Sequence, residues 1–311
     1  LGMHGNIGPN IKTNECDLLI AIGMRFDDRI TGDLNAYAKQ AKVIHFDIDV
    51  AEIDKNVKTD VAVLGDVKNT LPAVTAQLEN NTHTEWIDSF KQYEDLEMEK
   101  VIRHELNPPT GSPITMGEVV RKVSDATQRK AILVTDVGQN QMEAVRYFQF
   151  DEKRSVVTSG GAGTMGFGIP AAIGAKIAKP ERTVCLFCGD GGFQMTMQEL
   201  GTIIQEKMDV KIILMNNNYL GMVRQWQELF FQERYSSTPM VNPSFTAIAQ
   251  AYGIPTRLVN QREELDDAIA DMINSTNSYL LVVNVQEKSL VYPMTPAGGA
   301  VTTILLNENN K

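Results

Sequence analysis

The 311-residue sequence carries 29 basic and 39 acidic residues, a net charge of −10, with 43% hydrophobic and 22% charged residues. That is a globular composition, too acidic to favour nucleic acid, and it lacks the ~20-residue apolar run of a membrane-spanning helix. Three cysteines make no disulfide framework and fit a reducing cytoplasm.

The chain opens at Leu1-Gly2-Met3 without an initiator methionine or a basic-then-apolar leader, and reads as a piece of a longer protein. Strands are expected at 16–23, 42–49 and 61–65. Asp66 is expected to N-cap a helix with Leu71, Val74 and Leu78 on its apolar face. These elements predict a partial Rossmann-like domain over 1–80. Residues 81–113 read as a linker, charged and helical in pattern over 83–105 and broken by Asn107-Pro108-Pro109. The remaining 114–311 predicts a second domain. Its helices are expected at 115–126, 141–148, 163–178, 195–207, 221–231, 245–252 and 263–274. Its strands are expected at 131–136, 155–159, 183–188, 210–215 and 279–285. Such alternation means an α/β fold with a doubly wound parallel sheet. The tail beyond Gly298 is expected to be loosely held.

Two of these strands carry the chemistry. Thr183–Cys188 leads into Gly189-Asp190-Gly191-Gly192, and Val210–Met215 leads into Asn216-Asn217. Asp190 and Asn217 therefore stand at the carboxyl ends of strands in one βαβ unit, the edge where open α/β sheets bind ligands. A carboxylate and an amide beside a glycine turn and a helix N-terminus suit a divalent cation carrying a phosphate. Cys185 and Cys188 have CxxC spacing, but within a strand residues three apart face opposite ways, so they read as buried thiols.

A second reading competes. Gly161-Ala162-Gly163-Thr164-Met165-Gly166 matches the dinucleotide fingerprint GxGxxG, and Asp190 follows at the distance of a ribose-binding acid. An NAD site, however, gives no role to Gly191-Gly192 or to Asn216-Asn217, whereas a metal–phosphate site uses both. There is no P-loop motif, and the four histidines have no metal-ligand spacing.

Gly189-Asp190-Gly191, then 24 residues, then Asn216-Asn217 is the thiamin-diphosphate motif. With Leu1–Gly5, Arg25-Phe26-Asp27-Asp28-Arg29, Val137-Gly138-Gln139, Thr158–Gly166, Gly221-Met222-Val223-Arg224-Gln225-Trp226 and Pro293-Met294, the whole chain resembles the catalytic large subunit of acetolactate synthase (acetohydroxyacid synthase). The resemblance covers the second half of that family's central FAD-binding domain and all of its diphosphate domain. It implies a thiamin-diphosphate-binding fold.

It also implies that Mg²⁺ is held by Asp190, Asn217 and the Tyr219 backbone carbonyl. Val137, Gly138, Gln139, Asn140, Gly163, Met165, Gly191, Gly192, Met222 and Val223 would contact the cofactor. Asn140 departs from the His common in the family. Trp226 would shape the substrate pocket. Met3, His4, Gly23, Arg25, Asp47, Ile48 and Asp66 match the family's flavin contacts; by charge pattern alone, Arg25–Arg29 is a salt-bridged surface loop. The family's activating glutamate matches no residue here. The implied reaction condenses pyruvate with pyruvate or 2-oxobutyrate, with loss of CO₂, in branched-chain amino-acid biosynthesis. Implied partners are a second large subunit and a small regulatory subunit. Another thiamin-diphosphate-dependent 2-keto acid decarboxylase, or a non-catalytic cofactor-binding module, stands as the alternative.

Overall fold

The computed structural model describes residues 1–307, divided into two compact units. The first holds residues 1–103 and the chain from Tyr292 onward; the second holds His104–Val291. The segment read as a linker is therefore shared between two units, and the last stretch of the second expected domain lies with the first.

The first unit is built on a parallel three-stranded sheet, β1 (Leu18–Ile22), β2 (Lys42–Asp47) and β3 (Val61–Leu64), in that order. Asp66 does cap the helix Val67–Thr75, accepting from Lys68 N at 2.9 Å. The expected apolar face of that helix is not buried: Leu71 and Val74 are each 37% exposed, and Leu78 lies past its end. Along β1, Leu18, Ile20 and Ile22 form an exposed face, while Ala21 packs in a core with Phe26, Tyr37, Val43 and Val301.

Two features depart from the sequence reading. Residues 81–103 are mostly helical, as the pattern over 83–105 predicts, but they belong to the first unit: Glu97 reaches back to accept from Ile7 N at 2.8 Å, at the start of an unforeseen helix Ile7–Thr13. The tail is also held over its described part. Gly32 pairs with Ala300, Met294 pairs with Leu305, and Val301 is 2% exposed. Apolar burial against β1 and β2 outweighs the weak local signals there. Residues 308–311 lie outside the described chain.

The second unit is a six-stranded, all-parallel sheet of order β5-β4-β6-β7-β9-β8. Its strands are β4 (Ile132–Thr135), β5 (Val156–Val157), β6 (Val184–Gly189), β7 (Lys211–Asn216), β8 (Thr256–Val259) and β9 (Tyr279–Asn284). The apolar runs of β6, β7 and β9 are buried on both faces, as a helix-covered parallel sheet requires. Leu186, Cys188, Ile212, Leu214 and Leu280 form one core with Ile169, Phe193, Leu200 and Phe245. Both strand thiols are fully buried, and burial pushes Cys185 up to about 12 and Cys188 upward too, so neither is a reactive thiolate. Edge strand β8 was not foreseen; its short Thr256–Val259 run follows Pro255 and is only partly buried.

Helix starts differ from expectation at two informative places. The helix expected from Gly163 begins at Gly168, because 158–167 is a loop with Gly163 and Gly166 at positive φ (60° and 83°). The helix expected from Met195 starts earlier, at Asp190 itself, and is broken by a tight turn at Met197–Glu199 before Leu200–Gln205. Leu200 and Ile203 pack inward, whereas Met195 and Ile204 are half-exposed. From β4 the chain goes to β5 on one side and then to β6 on the other. The sheet order thus reverses between β4 and β6, and a crevice opens at their carboxyl ends.

Candidate cofactor and metal site

That crevice is a cleft of about 440 Å³ within the second unit. Its walls come from the loop after β4 (Val137–Asn140), the turn at the end of β6 (Gly189–Gly192) and the segment after β7 (Asn217 and Tyr219–Val223), with Met165 from the glycine loop. Val137 and Val223, 86 positions apart, thus meet at one strand edge. Trp226 is half-buried one turn beyond Met222, its ring edge-on to Phe230 at 5.1 Å; neither it nor Gly163 lines the cleft.

Asp190 is 1% and Asn217 3% exposed. The β6–β7 register, Gly189 opposite Met215, brings both residues to the same end of the sheet. Asp190 Oδ1 accepts from Gly191 N at 3.0 Å, and Oδ2 from Asn242 Nδ2 at 2.7 Å. Burial pushes its carboxyl above the usual carboxylate range, opposed by the Asn242 amide and the Gly191 backbone N–H. Asn217 donates to Gln139 Oε1 at 3.2 Å and accepts from Tyr219 N at 3.2 Å, which turns the chain so that Tyr219 lines the cleft.

Gln139 therefore does more than line the cleft. Its Nε2 donates to Gln225 Oε1 (3.2 Å) and Ser289 O (2.8 Å), so its amide locks Asn217 to the helix Gly221–Phe230. A side chain at Gly221 would collide with Gln139 Oε1 at 2.0 Å. Asn140 lines the same wall, and its Oδ1 is buried without a hydrogen-bond partner among the described residues.

Two residues that local reading missed organise this edge. Asp136, 1% exposed at the end of β4, accepts from Val137 N (2.8 Å), Gly166 N (3.1 Å) and Gly168 N (2.8 Å). It pins the glycine loop, and its place at a strand end was the available signal. Asn242 comes from the stretch between the helices expected at 221–231 and 245–252, where no element is expected. The Asp136 contacts also remove the NAD reading. The first N–H of helix Gly168–Ala178, where a dinucleotide's pyrophosphate would sit, and that of Gly166 in the loop before it are taken by a carboxylate.

The residues present fit a divalent cation with a diphosphate. Asp190 is the sole acid among the described residues lining the cleft, and the described residues contain no cluster of three or more His, Cys, Asp or Glu able to hold a metal. Oxygen donors from one carboxylate, one amide and one backbone carbonyl suit Mg²⁺, but leave charge and coordination to be completed by an anion. The cleft floor is glycine, and a Cβ on Gly191 would meet Leu220 Cδ2 at 2.8 Å.

In the first unit, Gly23, Asp47, Ile48 and Asp66 all stand at or just beyond the carboxyl ends of β1, β2 and β3, tied by Gly23 N to Phe46 O (2.8 Å) and Gly65 N to Asp47 O (2.9 Å). Met3 joins the Arg25–Arg29 segment through Met3 N to Arg29 O (2.7 Å). Within that segment Phe26 is buried edge-on to His45 at 5.1 Å, while Arg25 is exposed and pairs with Asp27 at 3.3 Å.

Comparison with known proteins agrees with this edge chemistry. Residues 136–283 match the thiamine pyrophosphate enzyme C-terminal TPP-binding domain, and residues 1–74 match the central domain of the same enzymes. The chain is 42% identical over 306 residues to the acetolactate synthase isozyme 2 large subunit of Escherichia coli, covering 98% of this chain and 54% of that protein. It is 43% identical over 299 residues to the acetolactate synthase large subunit of Lactococcus lactis (96% and 51%), and 41% over 314 residues to acetolactate synthase 1, chloroplastic, of Nicotiana tabacum (98% and 47%). The chain thus spans about half the length of the curated relatives it matches. It belongs to the thiamine pyrophosphate enzymes, with acetolactate synthase large subunits as its relatives.

Proposed function

We propose that the β4–β6–β7 edge anchors thiamin diphosphate through Mg²⁺, in an enzyme that condenses pyruvate with pyruvate or 2-oxobutyrate with loss of CO₂, on the route to branched-chain amino acids. The observation that carries this reading is the convergence of Asp190, Asn217 and Tyr219 from two adjacent strand ends onto one glycine-floored cleft.

In this reading Asp190 and Asn217 give side-chain oxygens to the cation, and Tyr219 its carbonyl. Val137, Gly138, Gln139 and Asn140 close the far wall against the diphosphate. Gly191 and Gly192 keep the floor free of side chains at the start of a helix, where backbone N–H groups favour an anion. Met165, Leu220 and Met222 present apolar surface to the cleft and exclude water from it. Val223, half-exposed, flanks the same wall. Bound thiamin diphosphate supplies an electron sink for decarboxylating a 2-keto acid. In this reading Trp226, a turn beyond Met222, shapes the pocket for the second keto acid.

The carboxyl edge of the three-stranded sheet is where we expect FAD, with Asp47 and Asp66 at strand ends as a nucleotide site has them. The relatives' extra length, about equal to this chain again, is where an activating carboxylate and a pyrimidine-binding segment belong; turnover requires both. A second large subunit, a small regulatory subunit and a cytoplasmic setting complete the proposal, the last supported by three free cysteines.

Calorimetric titration with thiamin diphosphate and Mg²⁺ tests the site. Binding by the parent chain, abolished by Asp190→Ala and by Asn217→Ala, is the expected result. Undiminished binding by both variants would sink the assignment.

A further inference from the structure

We propose that Asn242 is a positioning residue for the cation site, holding the Asp190 carboxylate in its ligating orientation and joining the 238–242 segment to both ligand-bearing strand ends. This rests on the reading above that Asp190, Asn217 and Tyr219 hold a divalent cation.

Asn242 Nδ2 lies 2.7 Å from Asp190 Oδ2, 2.9 Å from Asn216 Oδ1 and 3.2 Å from Asn218 Oδ1. Its Oδ1 accepts from Gln194 Nε2 at 2.9 Å, and that same nitrogen lies 3.2 Å from Asp190 O. The network sets the orientation of the amide. Reversing it would face an oxygen with three acceptors and a nitrogen with a donor. Two hydrogens serve three acceptors, and the shortest contact goes to the carboxylate.

The consequence for Asp190 is specific. Oδ1 is held by its neighbour's backbone, Gly191 N, and the shortest contact to Oδ2 comes from across the chain, from Asn242, with the Asn218 backbone N–H also facing the carboxylate. With both oxygens tethered, the carboxylate plane is set, and each oxygen keeps a lone pair for a cation. Removing the Asn242 amide takes away the shortest hydrogen bond to Oδ2 and loosens the carboxylate plane.

The segment bearing Asn242 also braces the other ligands. Met240 N donates to Asn218 O (2.8 Å), Leu220 N donates to Thr238 O (2.9 Å), and Tyr219 pairs with Pro239. Residues 238–242 thus run antiparallel to 218–220, the stretch that presents the Tyr219 carbonyl. Groups that orient metal ligands in this way commonly change metal affinity by about 10–100-fold when removed.

The test is an electron-paramagnetic-resonance titration of the full chain with Mn²⁺ in the presence of thiamin diphosphate. Parent, Asn242→Leu (similar volume, no donor), Asn242→Ser (too short to reach) and Asp190→Ala are compared. The expected result is a Kd for Mn²⁺ raised about 10–100-fold in both Asn242 variants, with metal-free melting within a few degrees of the parent. A merely structural role would lower the metal-free melting temperature and leave the Kd unchanged. A folded Asn242 variant that binds Mn²⁺ as tightly as the parent overturns the proposal, as does failure of both variants to fold. A parent that binds no Mn²⁺ at all overturns the cation reading itself, and this inference with it.

Discussion

The carboxylate of Asp136 fills the space in which a side chain on Gly192 would begin. A Cβ there would stand 2.1 Å from Asp136 Oδ1 and 2.7 Å from Cγ. The second glycine after Asp190 is thus demanded by a neighbouring acid that is itself bonded to three backbone N–H groups of the cleft and glycine loop.

Gly192→Ala should therefore disorder the glycine loop as well as the cleft floor. We expect a loss of about 2–4 kcal/mol of stability, the scale of an overpacked and unsatisfied buried polar site, and at least tenfold weaker thiamin diphosphate binding. Gly161→Ala is the control, because a Cβ there meets nothing within 4 Å; it should stay within about 0.5 kcal/mol of the parent. Urea unfolding and cofactor titration read both. Equal behaviour of the two variants would refute the Asp136 explanation.

Glu143 should make the second unit less stable as pH rises. It is 4% exposed on the helix Gln139–Tyr147, and its Oε2 is buried without a hydrogen-bond partner among the described residues. Burial pushes its carboxyl well above the usual range, helped by the nearby Glu105 carboxyl and opposed by Arg146; Glu105 is raised too, with Glu118 beyond it. A carboxyl whose folded value is raised contributes its full stability below the unfolded value of about 4.3. That contribution is lost as pH climbs through the folded value. Glu143→Gln should match the parent near pH 4.5–5 and exceed it by about 1–3 kcal/mol at pH 8, the scale of a buried, unsatisfied polar group. Thermal melts at the two pH values decide it; a gap that does not widen with pH would be inconsistent with a raised Glu143.

Val301 should matter to the first unit although it lies in the stretch read as a loose tail. It is 2% exposed among Ala21, Phe26, Tyr37, Ala38 and Val43. Val301→Ala should cost about 1–3 kcal/mol through lost burial and a residual cavity. Thr302→Ala, at an exposed neighbouring position, should cost under about 0.5 kcal/mol. Denaturant unfolding followed by hydrogen exchange at β1 and β2 separates them. No difference between the variants would mean that the tail does not hold the sheet.

Periodicity and strand-end chemistry made much of this chain legible. The runs ending at Cys188 and Met215 are strands because continuous apolar stretches of that length belong in a two-sided parallel sheet. Asp66 is a cap because its side chain satisfies a backbone N–H group that a helix start leaves open, accepting from Lys68 N at 2.9 Å. The placement of Asp190 and Asn217 at two neighbouring strand ends followed from the same local patterns.

Contacts between distant positions decided the rest. Gly166 and Gly168 look like the mouth of a dinucleotide-binding helix until Asp136, 30 and 32 positions earlier, takes their N–H groups. Asn242 carries no local signal, and its partner Asp190 is 52 residues away. Leu71 and Val74 have the pattern of an inward face yet are each 37% exposed, while Val301, in a stretch rich in turn residues, is buried. Local propensity sets which hydrogen bonds a segment makes within itself. Which side chain fills a given space, or satisfies a given buried donor, is settled only when the strand order brings remote segments together.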